Sequence, residues 1–121
     1  VEDFGVGFYT KYGDGGVDIS PIADLLKSEV FKLADHLGIV SSIQKAKPTD
    51  GLWDDDRSDE DQLGATYEEL EWAMNYLEFN SQNNLSERQK KVLEIYNCHH
   101  QTNLHKMNPI PVCEIPESLK S

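Results

Sequence analysis

Cations are scarce in this 121-residue chain: 11 Lys and Arg stand against 22 Asp and Glu, for a net charge of −11. A field of that sign argues against nucleic acid or an anionic membrane as a partner held by bulk charge. A phosphate ligand would have to be met by a few placed cations, by helix N-termini or by a divalent metal. Cysteine is almost missing too. Cys98 and Cys113 are the whole complement, too few for a disulfide framework, and no Cys-x-x-Cys pair joins His99, His100 and His105 to suggest zinc. His99 and His100 are adjacent and would project in different directions from a helix. No signal-like apolar segment and no apolar run of membrane-spanning length is present. Nor is there an internal repeat or a low-complexity tract. These absences predict one domain in a soluble, reducing, cytoplasmic setting, with no nucleic-acid and no membrane partner.

Glycine, by contrast, is concentrated. Gly13, Gly15 and Gly16 fall within Thr10 to Asp18, where they suit a turn with positive φ or a close approach to another molecule. Lys11 precedes the turn, and Asp14 and Asp18 lie in and just after it. The stretch reads either as an ordinary surface turn or as the contact surface of a polar ligand. Before it, Gly5 and Gly7 weaken any helix over residues 1–10, so periodicity leaves that region open.

After the turn, Ile19-Ser20-Pro21-Ile22 suits a short extended segment. Leu26, Val30, Leu33 and Leu37 then recur at helical spacing, with Gly38 placed to end the helix. Lys27 falls in the first turn of that helix, against the dipole. His36 reads as a surface or packing residue. Six acids occupy eight positions from Asp54 to Asp61. They cannot share a core, and residues 50–64 are expected to form a mobile acidic loop. A calcium loop is excluded, because counting from Asp54 puts Asp59 and Ala65 where Gly and Glu are needed. Leu52 and Trp53 either anchor the loop or pack its base. Thr66-x-x-Glu69 and Ser86-x-x-Gln89 fit capping boxes for two further helices. The first is expected to bury Leu70, Ala73, Met74 and Leu77, and the second Val92, Ile95 and Tyr96. Pro109, Pro111 and Pro116 predict an extended tail over 108–121.

The order Thr10-Lys-Tyr-Gly-Asp-Gly-Gly-Val-Asp18, Ile19 to Val30, Lys47-Pro-Thr-Asp-Gly-Leu-Trp53 and Ser58-Asp-Glu-Asp-Gln-Leu-Gly64 into Thr66-Tyr67-Glu68-Glu69-Leu70 resembles the C-terminal part of NAD synthetase, from residue 2 to about 107. The resemblance implies an α/β, Rossmann-like ATP pyrophosphatase fold in the intact family, of which this chain holds a mostly helical portion with little strand. It implies ATP-dependent amidation of deamido-NAD through an adenylated intermediate, using ammonia that is free or glutamine-derived, with Mg²⁺ and a homodimer. Carried over by residue, Lys27 and Thr49 meet ATP, and Lys11, Asp18, His105 and Lys106 meet deamido-NAD. Asp3 takes the metal, with Glu2 as its alternative after a small shift, both being hard oxygen ligands of the kind Mg²⁺ accepts. The acidic loop becomes a flap over the nucleotide that keeps water from the acyl-adenylate.

One part is missing. The family's Ser-Gly-Gly-x-Asp-Ser loop, which cradles the leaving pyrophosphate, does not occur in this sequence. The chain opens at Val1, in the middle of the resemblance, and is read as a fragment or processed piece carrying about half an active site, inactive by itself. The alternative is a non-catalytic helical module, binding or regulatory, derived from the same fold.

Overall fold

The structure is a computed structural model that describes residues 2–49, 58–79 and 84–120, with the side chains of Glu2 and Phe4 left aside. Its elements are the helices α1 (Glu2–Val6), α2 (Lys27–His36), α3 (Ser41–Gln44), α4 (Asp59–Leu63), α5 (Tyr67–Glu78) and α6 (Glu87–Met107), with a 3₁₀ turn at Glu117–Leu119. Among the described residues there is no strand, so this portion is helical as expected. No helix among them is long and apolar enough to cross a membrane.

α1, α5 and α6 pack against one another. Val6 and Leu70 are fully enclosed, Leu63 and Ala65 nearly so, with Phe8, Ile95 and Tyr96 closing around them. Ala73 and Val92 are buried as their helical spacing predicts. Leu77 is 40% exposed, however, because it lies toward the end of α5, beyond the cover the described residues supply. α2 buries no residue, and Leu33 and Leu37 on its expected inner face are 39% and 65% exposed.

Both predicted capping boxes form. Thr66 Oγ1 accepts from Glu69 N–H at 3.2 Å and Glu69 Oε2 accepts from Thr66 N–H at 3.0 Å; Ser86 and Gln89 do the same at 3.2 and 2.9 Å. The expected loop 50–64 lies partly outside the described residues, at 50–57. From Ser58 onward the chain departs from that expectation. Asp59–Leu63 is a helix, capped by Ser58 and Asp61, that delivers Leu63 to the core. Asp59, Glu60 and Asp61 occupy its first turn, where the helix dipole favours carboxylates, so the acidity that reads as repulsion supports a helix start.

The glycines also depart from expectation. Gly7, Gly38 and Gly64 are the left-handed ones among the described residues, at φ 68°, 69° and 79°, each at a helix end. Gly13, Gly15 and Gly16 are not among them. A Cβ on Gly15 would stand 2.7 Å from the Lys11 carbonyl, and one on Gly16 would stand 2.6 Å from that of Tyr12. There the chain approaches itself closely, which is what those glycines permit.

Candidate functional site: two clefts about Tyr9

α1 ends in a Schellman turn. Gly7 is left-handed, and Phe8 N–H bonds back to the Asp3 carbonyl at 2.9 Å. That turn leaves later carbonyls of the helix without intrahelical donors. α6 supplies them from one face. His100 Nδ1 donates to Gly5 O at 2.7 Å, Asn103 Nδ2 to Val6 O at 3.0 Å, and Lys106 Nζ to Gly7 O at 2.7 Å. Positions 100, 103 and 106 recur every three residues, and so face three successive carbonyls. The seam is close, since a Cβ on Gly7 would fall 2.2 Å from Asn103 Cβ. α1 is thereby locked to the last turns of α6.

The segment leaving this seam carries Tyr9. Its hydroxyl donates to the Lys106 carbonyl at 2.8 Å, and the Lys106 ammonium lies 5.7 Å from its ring centre. Two clefts share Tyr9 in their linings. One, of about 360 Å³, brings together Asp3, Asp14 and Lys27 with an apolar wall that includes Ile22, Leu25 and Val30. The other, of about 460 Å³, brings together Lys11 and Lys106 with Met74, Met107 and the backbone of Gly5 and Gly15. The first joins two carboxylates, an ammonium and hydrocarbon, an environment for an anion carrying an apolar ring and a divalent cation. The second offers two ammonium groups between methionine walls, a setting for a second anionic ligand.

The residues picked out by resemblance therefore fall into distinct places. Asp3 and Lys27 line the smaller cleft, and Lys11 and Lys106 the larger. Asp18 and His105 are exposed and line neither of these clefts. Thr49 is exposed as well; next to it, the Pro48 carbonyl accepts the Asp59 N–H at 3.0 Å, which ties this stretch to the start of α4.

Lys27 Nζ stands 5.0 Å from the ring centre of Tyr67 and 5.9 Å from that of Phe31. Tyr67, buried at the first position of α5, donates its hydroxyl to Asp3 Oδ1 at 3.1 Å. Sequence reasoning assigned no role to Tyr9, Tyr67, His100 or Asn103. An aromatic pair beside a glycine turn was the one visible signal for Tyr9, whereas Tyr67 depends on a contact across 64 positions that no local pattern announces.

The sequence profile of the NAD synthase family matches residues 2–109. The chain is 44% identical over 91 residues to the NH(3)-dependent NAD(+) synthetase of Picrophilus torridus, covering 75% of this chain and 36% of that protein. It is 37% identical over 114 residues to the protein of the same name from Archaeoglobus fulgidus, covering 94% and 44%. Against that of Methanococcoides burtonii it is 52% identical over 66 residues, 54% of this chain and 25% of the relative. It thus spans less than half the length of these relatives, and over that span it belongs to the NAD synthase family.

Proposed function

We propose that the chain is the C-terminal portion of an NAD synthetase that uses ATP and ammonia to amidate deamido-NAD, and that its two clefts serve different substrates. One observation carries this reading. The lysines assigned by resemblance to ATP and to deamido-NAD fall on different clefts, with Tyr9 between them. On this reading Lys27 holds the ATP phosphates in the smaller cleft, and its cost against the α2 dipole is offset by the phosphate charge. Lys11 and Lys106 hold the dinucleotide in the larger one, and by resemblance His105 and Asp18 also meet the dinucleotide and Thr49 meets ATP. Lys106 spends one of its three donors on Gly7 O and keeps two for a ligand. No protein nucleophile is required. The chain's part is to bind, orient and neutralise.

The chemistry of the smaller cleft suits magnesium. Asp3 accepts one bond from Tyr67 and retains further carboxylate lone pairs, and Asp14 lines the same cleft. Among the described residues no three or more His, Cys, Asp or Glu side chains gather to hold a metal, so a cation at Asp3 would complete its shell with phosphate oxygens and water, as Mg²⁺ does. Bound there, it would neutralise charge developing on the phosphates. The α/β sheet, the pyrophosphate loop and a homodimer partner belong to the same proposal as parts supplied outside this chain.

The test is conversion of deamido-NAD, ATP, Mg²⁺ and ammonia to NAD and AMP. The intact protein is expected to turn over, and the isolated 121-residue chain is not. Turnover by the isolated chain, or none by the intact protein, would overturn the proposal, the second outcome favouring a non-catalytic module.

A further inference from the structure

We infer that Tyr67 is a positioning residue for the metal and phosphate corner of the smaller cleft, setting Asp3 through its hydroxyl and Lys27 through its ring face. The inference rests on the reading that Asp3 and Lys27 serve magnesium and ATP. Contacts from three different helices meet at Tyr67. Its backbone N–H donates to Glu60 Oε1 of α4 at 2.9 Å. Its hydroxyl donates to Asp3 Oδ1 of α1 at 3.1 Å. Its ring lies 5.0 Å from the ammonium of Lys27, the first residue of α2.

The residue is 8% exposed, so its two side-chain torsions are set by packing and its hydroxyl needs a partner. That the partner is a carboxylate lining the cleft, rather than a backbone carbonyl, is what sets Tyr67 apart from a core tyrosine. The hydroxyl occupies one acceptor site of Asp3 and fixes the carboxylate plane, leaving the remaining lone pairs for a cation. The Tyr67 ring, together with that of Phe31, faces the Lys27 ammonium and helps to hold it at the cleft. Charge in the cleft is then held in place before any ligand arrives.

The test uses Mn²⁺ as a spectroscopically visible substitute for Mg²⁺, titrated by electron paramagnetic resonance into the intact protein with a non-hydrolysable ATP analogue. Tyr67→Phe keeps the ring and removes the hydroxyl. Mn²⁺ affinity is expected to fall about tenfold, the low end for loss of an outer partner of a metal ligand, with KM for deamido-NAD unchanged. Tyr67→Leu, which also removes the ring, should raise KM for ATP further. In an Asp3→Asn background, Tyr67→Phe should weaken Mn²⁺ no more than Asp3→Asn does alone. Unchanged Mn²⁺ affinity in Tyr67→Phe, with a clear loss in Asp3→Asn, would overturn the positioning role alone. Unchanged affinity in Asp3→Asn would overturn the assignment of Asp3 and the role of Tyr67 with it.

Discussion

Gly7 occupies a point where backbone conformation and packing make the same demand. Its φ of 68° is left-handed, and a Cβ there would lie 2.2 Å from Asn103 Cβ, an atom fixed to α6 that cannot swing aside. Gly7→Ala should therefore cost more than about 2 kcal/mol, strain of about 1–3 kcal/mol combining with a clash that forces α1 from α6. A chemical denaturation midpoint equal to the parent's would contradict this account of the seam. In the sequence Gly5 and Gly7 read only as helix weakeners, whereas Gly13, Gly15 and Gly16 drew attention by their density. Conformational need followed position at a helix end rather than number, and the dense group serves the chain's contact with its own Lys11 and Tyr12 carbonyls. Lys106 was singled out only through the resemblance, as half of a His-Lys pair, and its bond to Gly7 O was hidden because it depends on how α6 lies along α1.

At the scale of elements, the helices with polar boundary signals were legible: the caps at Thr66 and Ser86 lie where short-range spacing puts them. α4 was hidden because net acidity dominates its sequence, and only the alignment of Ser58 with Asp61 betrays a helix start. α5 and α6 are clamped at their beginnings by a fork. Arg88 Nε donates to Glu69 Oε1 at 2.7 Å and Arg88 Nη2 to Glu69 Oε2 at 2.6 Å. The Arg88 guanidinium holds the Glu69 carboxyl below its ordinary range, outweighing the opposing effect of desolvation, with the Thr66 N–H assisting. A lowered carboxylate pKa stabilises the fold above the unfolded-state value, and the contribution is lost as pH falls through the folded-state value. Arg88→Gln should thus lower the denaturation midpoint slightly at pH 7, the pair being partly exposed. The gap from the parent should close as pH drops below about 4. A gap that persisted unchanged at pH 2 would show that the fork acts through packing instead.

At the scale of the whole molecule, the core formed by α1, α4, α5 and α6 is small, and much apolar surface lies outside it. Besides Leu37, Ile39 and Val40 after α2 are 39% and 59% exposed, and Ile43 in α3 is 65% exposed. On the proposal that the chain is part of a longer synthetase, of which it spans 36% or 44% by comparison with relatives, these are the faces that the rest of the protein would meet. This explains the limit of legibility: periodicity gave each helix an inner face, but a face is covered only where its partner is present. The two clefts were legible as residue types and not as geometry, because Lys27 and Asp3 come to line one cleft, and Lys11 and Lys106 the other, only through packing between segments far apart in sequence. The most direct measurement is a cross-titration in the intact protein, in which ATP and deamido-NAD are each varied for Lys27→Ala and Lys11→Ala. A charged hydrogen bond worth about 1.5–3 kcal/mol corresponds to a loss of about tenfold to a hundredfold. Lys27→Ala should show that loss for ATP and Lys11→Ala for deamido-NAD, each leaving the other substrate within about twofold. Equal loss of both substrates in either variant, or no loss in both, would contradict the assignment of one cleft to each.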